Sequence, residues 1–199
     1  MEKLKLVLLD VDGVIYDFVS LMLSTHFKKY GKKPSDIVTY HMDQILGITK
    51  SEFWRTCDEA DGVFCDGDFY SYTKDLINTC KLYSENIAFC TNPGNNPKHW
   101  AEKKTLFDKL TKFLGEPIPA PIVTQNKDVL SLEGVVLVDD FEKNIDNFNK
   151  GKGIGVLFPQ YWNKNGIELL MKDPVGYVDC TLDDICQVGF NEWKAIKND

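Results

Sequence analysis

A short aliphatic run that stops on two acids and a glycine constrains this chain more than anything else in it. Residues 4–9 (Leu4, Lys5, Leu6, Val7, Leu8, Leu9) are too few for a helix and almost wholly apolar, the pattern of a strand buried on both faces of a parallel sheet. The run ends in Asp10-Val11-Asp12-Gly13. In open α/β sheets the crevice beyond the carboxyl ends of the strands carries the chemistry, so Asp10 and Asp12 are expected at its rim, one able to attack and the other to move protons. A polar turn closing a strand uses the same residue types. The other strand ends must therefore decide.

Residues 86–90 form a second such run, which ends in Thr91-Asn92-Pro93-Gly94. A threonine hydroxyl there can donate to a phosphoryl oxygen, and the amides that follow let backbone approach an anion. A third, shorter run at residues 122–124 leads into Gln125-Asn126-Lys127; most lysines are solvated, but one at a strand end can offer a compact positive charge to a transferring phosphoryl group. The fourth run, 134–138, again ends in paired acids, Asp139 and Asp140. So many carboxylates at one rim repel unless a cation sits among them, and all-oxygen ligation suits Mg2+. Residues 153–158 make a fifth strand.

Apolar spacing predicts helices over 15–30, 51–57, 71–83, 98–114, 141–150 and 182–196, the last packing through Ile185, Val188, Phe190 and Trp193. One β-α-β unit needs about 30 residues. Asp12 and Thr91 are more than twice that far apart, and the stretch between them holds short amphipathic pieces and several aromatics. The expectation is a doubly wound parallel α/β core over residues 1–15 and 71–199, with a small helical cap inserted over 16–70.

With 199 residues and a formal charge of −7, one core plus a cap is the expected size, and stable binding to nucleic acid or to an anionic membrane is not expected. No apolar stretch approaches a membrane span, the first run has no cleavage pattern after it, and the six cysteines are scattered. A cytoplasmic protein with reduced thiols, monomeric or homodimeric, is expected.

Four motifs in order (strand-Asp-x-Asp-Gly, strand-Thr, Lys, strand-Asp-Asp) resemble the haloacid dehalogenase superfamily of phosphohydrolases. Within it the chain is similar to the 5′(3′)-deoxyribonucleotidases, on Asp-Val-Asp-Gly-Val-Ile-Tyr-Asp-Phe (10–18), Phe-Cys-Thr-Asn-Pro (89–93), Val-Thr-Gln-Asn-Lys (123–127), Leu-Val-Asp-Asp (137–140) and Trp-Lys-Ala-Ile (193–196). The resemblance implies Asp10 as nucleophile through an aspartyl-phosphate and Asp12 as acid and base. It implies Mg2+ held by Asp10, the Asp12 carbonyl and Asp140, with Asp139 as ligand or neighbour, and phosphate held by Thr91, Asn92 and Lys127. The substrate would be a nucleoside monophosphate, with Phe18, Tyr40, Trp54 and Phe64 about the base. Relatives usually carry serine at Asn92 and arginine near Gln125, so phosphate contacts and nucleotide preference are expected to differ. Two other readings compete: a phosphatase for a small metabolite or a polynucleotide end, and a non-catalytic phospho-acceptor resembling response-regulator receivers, whose motif order differs and which lack a cap.

Overall fold

The aliphatic runs form five parallel strands, β1 (Leu6–Asp10), β2 (Ile87–Thr91), β3 (Ile122–Val123), β4 (Val135–Asp139) and β5 (Ile154–Leu157). Their order in the sheet is β3-β2-β1-β4-β5. The computed structural model describes residues 3–164 and 173–198. Alternate residues face opposite layers. Val7, Leu9, Phe89, Val136 and Val138 share one apolar cluster, while Leu8, Cys90, Val135 and Leu137 share another. This is why the strands read as continuous apolar runs rather than alternating ones.

Helices cover both faces. Against the first cluster lie α4 (Thr73–Tyr83), α5 (Pro97–Leu114) and α7 (Pro174–Val188), through Leu76, Leu106, Leu110 and Leu182; against the second lies α6 (Glu142–Lys150), through Ile145 and Phe148. The doubly wound expectation is met. The chain adds β2 and β3 on one side of β1 and then crosses to add β4 and β5 on the other. The ends of β1 and β4 therefore flank the point where the winding reverses, where such sheets open a crevice.

Three local readings need correction. The helix expected over 15–30 is only α1 (Phe18–Ser24) followed by a 3₁₀ turn, Lys28–Tyr30. The Val11 carbonyl accepts the N–H groups of Ile15 and Tyr16, and Tyr16 pairs with Phe69, so residues before Asp17 are committed to a turn. The Asp17 carboxylate then caps α1 by accepting the Ser20 N–H at 3.0 Å. The helix expected over 182–196 starts earlier, at Pro174 behind the Asp173 cap, and breaks at Gly189 (φ +96°) before α8 (Phe190–Asn198). Val188 consequently faces outward. In α5, Trp100 and Phe113 lie off the core-facing stripe and are 49% and 44% exposed.

Between β1 and α4, α1 is followed by α2 (Met42–Leu46) and α3 (Lys50–Glu59). Thr49 and Glu52 form a reciprocal capping box at the start of α3, with Glu52 N–H to Thr49 Oγ1 at 3.1 Å and Thr49 N–H to Glu52 Oε2 at 2.8 Å. Met22, Phe27, Ile37, Leu46, Phe53 and Phe64 pack into a third apolar cluster, joined by Trp162 from beyond β5. All six cysteines are free, and no helix among the described residues is long and apolar enough to cross a membrane.

Candidate active site

The pairing of Leu9 with Val138 sets the end of β1 beside the end of β4, so Asp10 and Asp139 become neighbours. Lys127 opens the 3₁₀ turn after β3 (Lys127–Leu130) and reaches back between them. Its Nζ lies 2.5 Å from Asp10 Oδ1 and 2.6 Å from Asp139 Oδ2, and the side chain is 4% exposed. Asp139 is fully committed to holding this arrangement: Oδ1 accepts the Phe141 N–H at 2.9 Å and Oδ2 also accepts from Asn144 Nδ2 at 3.0 Å. Asp140 Oδ2 accepts the Trp162 indole N–H at 2.7 Å, and Asn163 donates to the Asp140 main-chain oxygen at 2.9 Å.

One carboxylate oxygen from each of Asp10, Asp139 and Asp140 lies within 4.8 Å of the others. Among the described residues three buried carboxyl groups face one ammonium, an excess of acid over base. Burial pushes the Asp10 carboxyl up to about 7 against the pull of Lys127, with Asp139 and Asp12 adding to the rise, and burial together with Asp10 raises Asp140 well above the carboxylate range. Burial disfavours the Lys127 ammonium, but Asp10 and Asp139 outweigh it and raise its pKa above the ordinary lysine value. An all-oxygen, over-acidic, buried donor set fits a hard divalent cation such as Mg2+. Asp10 and Asp140 are better placed to ligate than Asp139, whose oxygens are already shared among three donors.

Gly13 closes the site from the side. It has φ +82°, and a Cβ there would run into the Asp140 carboxylate and the Trp162 ring, so no other residue fits without displacement. Its carbonyl accepts from Gln160 Nε2 at 2.5 Å. Asp12 turns away from the carboxylate cluster: its Oδ1 lies 2.5 Å from Lys103 Nζ of α5. At the end of β2, Thr91 is buried and its Oγ1 has no hydrogen-bond partner among the described residues. Asn92 Oδ1 accepts the Gly94 N–H at 2.9 Å.

Two cavities open on these groups. One, of about 350 Å³, is lined by Asp10, Asp12, Asn92, Lys127 and Gln125; the other, of about 380 Å³, is lined by Asp12, Gly13, Asp140, Phe18, Phe64 and Trp162. Tyr40, Trp54, Phe141 and Lys143 line both, so the two adjoin. Phe18 stacks on Phe64 at 5.3 Å, Tyr40 stacks on Phe141 at 3.7 Å, and Trp54 meets Phe53 edge-on at 5.4 Å. Thus Asp10, Asp12, Asn92, Lys127 and the four aromatics named from sequence all reach this crevice, and Thr91 sits at the strand end beside it. Gln125 Nε2 is bonded to Asn95 Oδ1.

The sequence reading missed Lys103, Asn144 and Trp162. Lys103 had a visible signal, a lysine at apolar spacing to Leu106, Phe107 and Leu110; Trp162 lies in a polar loop and had none.

The structure is similar to a haloacid dehalogenase-like family hydrolase from Xanthomonas campestris, at 14% identity over 95% of this chain and 100% of that chain, with a TM-score of 0.55. The fold is that of the haloacid dehalogenase-like hydrolases. A phosphonoacetaldehyde hydrolase-like protein from Oleispira antarctica (14% identity, 92% and 86% of the two chains, TM-score 0.52) and a predicted phosphatase from Clostridium acetobutylicum (13%, 94% and 100%, TM-score 0.51) are similar in the same way. No protein-family model and no curated protein matches the chain.

Proposed function

We propose that this haloacid dehalogenase-like fold carries a Mg2+-dependent phosphatase that hydrolyses nucleoside monophosphates, deoxyribonucleotides foremost, through phosphorylation of Asp10. The observation that carries the reading is the buried cluster of Asp10, Lys127, Asp139 and Asp140 at the winding reversal, opening on a cavity that also holds Asp12. The hydrolases and the phosphatase that share the fold support it.

In this reading an Asp10 oxygen bonds to phosphorus while the bond from phosphorus to the leaving oxygen breaks, and that oxygen takes a proton from Asp12. Water then attacks the same phosphorus, gives its proton to Asp12, and releases phosphate with the Asp10 carboxylate restored. Lys127, the Thr91 hydroxyl and the backbone at Asn92 hold the phosphoryl oxygens; Thr91 Oγ1, without a partner among the described residues, is a donor for one of them. Asp10, Asp140 and the Asp12 carbonyl would hold Mg2+. When bound it shields the Asp10 carboxylate from the phosphoryl charge. Residues 16–70 act as a cap over the core formed by the described residues of 1–15 and 71–199, and Phe18, Tyr40, Trp54 and Phe64 line the room for a base.

The test is phosphate release with Mg2+ across deoxy- and ribonucleoside monophosphates and sugar phosphates. Turnover of the nucleotides, lost at least about 10³-fold in Asp10→Asn with circular dichroism unchanged, is expected. Release from a sugar phosphate with the nucleotides ignored removes the nucleotidase reading. Stable phosphorylation of Asp10 without release of phosphate would make the chain a phospho-acceptor instead.

A further inference from the structure

Two consecutive charges lie on the core-facing stripe of α5. Glu102 accepts the N–H groups of Gly62 and Phe64 at 2.8 and 3.0 Å, which seats the 62–64 loop over the helix. Lys103 is sealed beneath that loop at 2% exposure. Its ammonium lies over the Phe64 ring at 4.8 Å and near the Tyr16 ring at 5.7 Å, and its carboxylate partner is Asp12, at 2.5 Å. An ammonium enclosed by aromatic rings needs an acceptor such as Asp12 Oδ1, because burying a charge without a hydrogen-bond partner is expensive. Asp12 in turn is held by a head group that the Phe64 and Tyr16 rings flank.

We propose that Lys103 is a positioning residue, one that holds Asp12 Oδ1 so that Oδ2, the oxygen that carries the proton, can hand it to the leaving oxygen. The proposal rests on the phosphatase reading above and adds a residue to it. When the bond from phosphorus to the leaving oxygen breaks, the electron pair stays on that oxygen, which takes the Asp12 proton; the Asp12 carboxylate left behind faces the Lys103 ammonium.

Leaving groups that need a proton should feel the loss of Lys103, and those that do not should be indifferent. In Lys103→Met, kcat/KM for a nucleoside 5′-monophosphate is expected to fall ~10²-fold, while for p-nitrophenyl phosphate, whose phenolate departs unprotonated, it changes less than about 3-fold. KM for the nucleotide should stay within about 2-fold, and Lys103→Met added to Asp12→Asn should cost nothing further. Equal losses on both esters, or independent losses in the double variant, overturn the proposal while leaving the phosphatase reading intact. A wild-type protein inactive on both esters refutes the phosphatase reading first. If Lys103→Met does not give folded protein by near-ultraviolet circular dichroism, Lys103→Gln, which keeps a donor, is judged by the same two esters.

Discussion

Replacing Lys127 with methionine tests the electrostatic argument without reference to any substrate. The side chain is similar in size, so packing is nearly kept while the cluster's one cation among the described residues goes. In the wild type the ammonium touches Asp10 and Asp139, at 2.5 and 2.6 Å, in surroundings where Asp139 has no exposed surface at all. Removing one partner of a buried pair costs about 3–5 kcal/mol, because the other is left uncompensated. With a urea slope of roughly 2 kcal/mol per molar, the unfolding midpoint should fall by about 1.5–2.5 M.

The sign of the pH dependence follows from the shifts. Lys127 is raised above the ordinary lysine value, so its stabilisation is fully present below that value and is lost only as pH rises above it; pH 6 to 8 lies inside its range. Asp10 is raised to about 7, and Lys127 is what holds it from rising further, so in the variant Asp10 can take a proton and relieve part of the repulsion at low pH. The loss should therefore be larger at pH 8 than at pH 6. Mg2+ at about 100 times its dissociation constant should return roughly 2.7 kcal/mol. Adding Asp139→Asn, which removes the stranded anion, should restore stability as well. A loss under about 1 kcal/mol at pH 8, or no recovery with Asp139→Asn, would refute the reasoning.

Binding of Mg2+ requires both Asp10 and Asp140 ionised, so with Asp10 at about 7 and Asp140 raised as well, the apparent affinity measured by titration calorimetry should rise at least about tenfold from pH 6 to pH 8, with proton release; a flat profile contradicts the ligand assignment. For the same reason the cation-free protein should lose stability as pH rises from about 4 to about 7, the window between the unfolded and folded values of Asp10. Gly13→Ala meets both a left-handed backbone (φ +82°) and the Asp140 carboxylate, whereas Gly31→Ala meets only the backbone term (φ +63°) with open space around it. Gly31→Ala should cost about 1–2 kcal/mol and Gly13→Ala distinctly more, with weakened Mg2+ binding in the latter alone; equal thermal shifts would show that the Asp140 contact does not matter.

What was legible in the sequence, and what was not, follows from where the information sits. Strands buried on both faces must be apolar at every position, so four of the five, with their polar tips, stand out as runs, and the order Asp10, Thr91, Lys127, Asp139 needs no structure to be seen. The two-residue β3 is still legible at 122–124, whereas the breaks at Asp17 and Gly189 are harder. Each depends on a hydrogen bond or a positive φ that competes with helix periodicity, and the one start signal available for the long C-terminal helix, Asp173-Pro174, lies outside its apolar stripe. Lys103 is more instructive. On α5 the buried stripe runs His99, Glu102, Lys103, Leu106, Phe107, Leu110, Leu114, and its polar part is the end nearest the tips of β1 and β2. Periodicity alone treats a charge on such a stripe as noise. Physically it cannot be noise, since each buried charge must find a partner, and the partners here are Asp12 and the main chain that seats Phe64. A stripe that turns from apolar to charged as it approaches a strand tip therefore marks the residues that address the crevice.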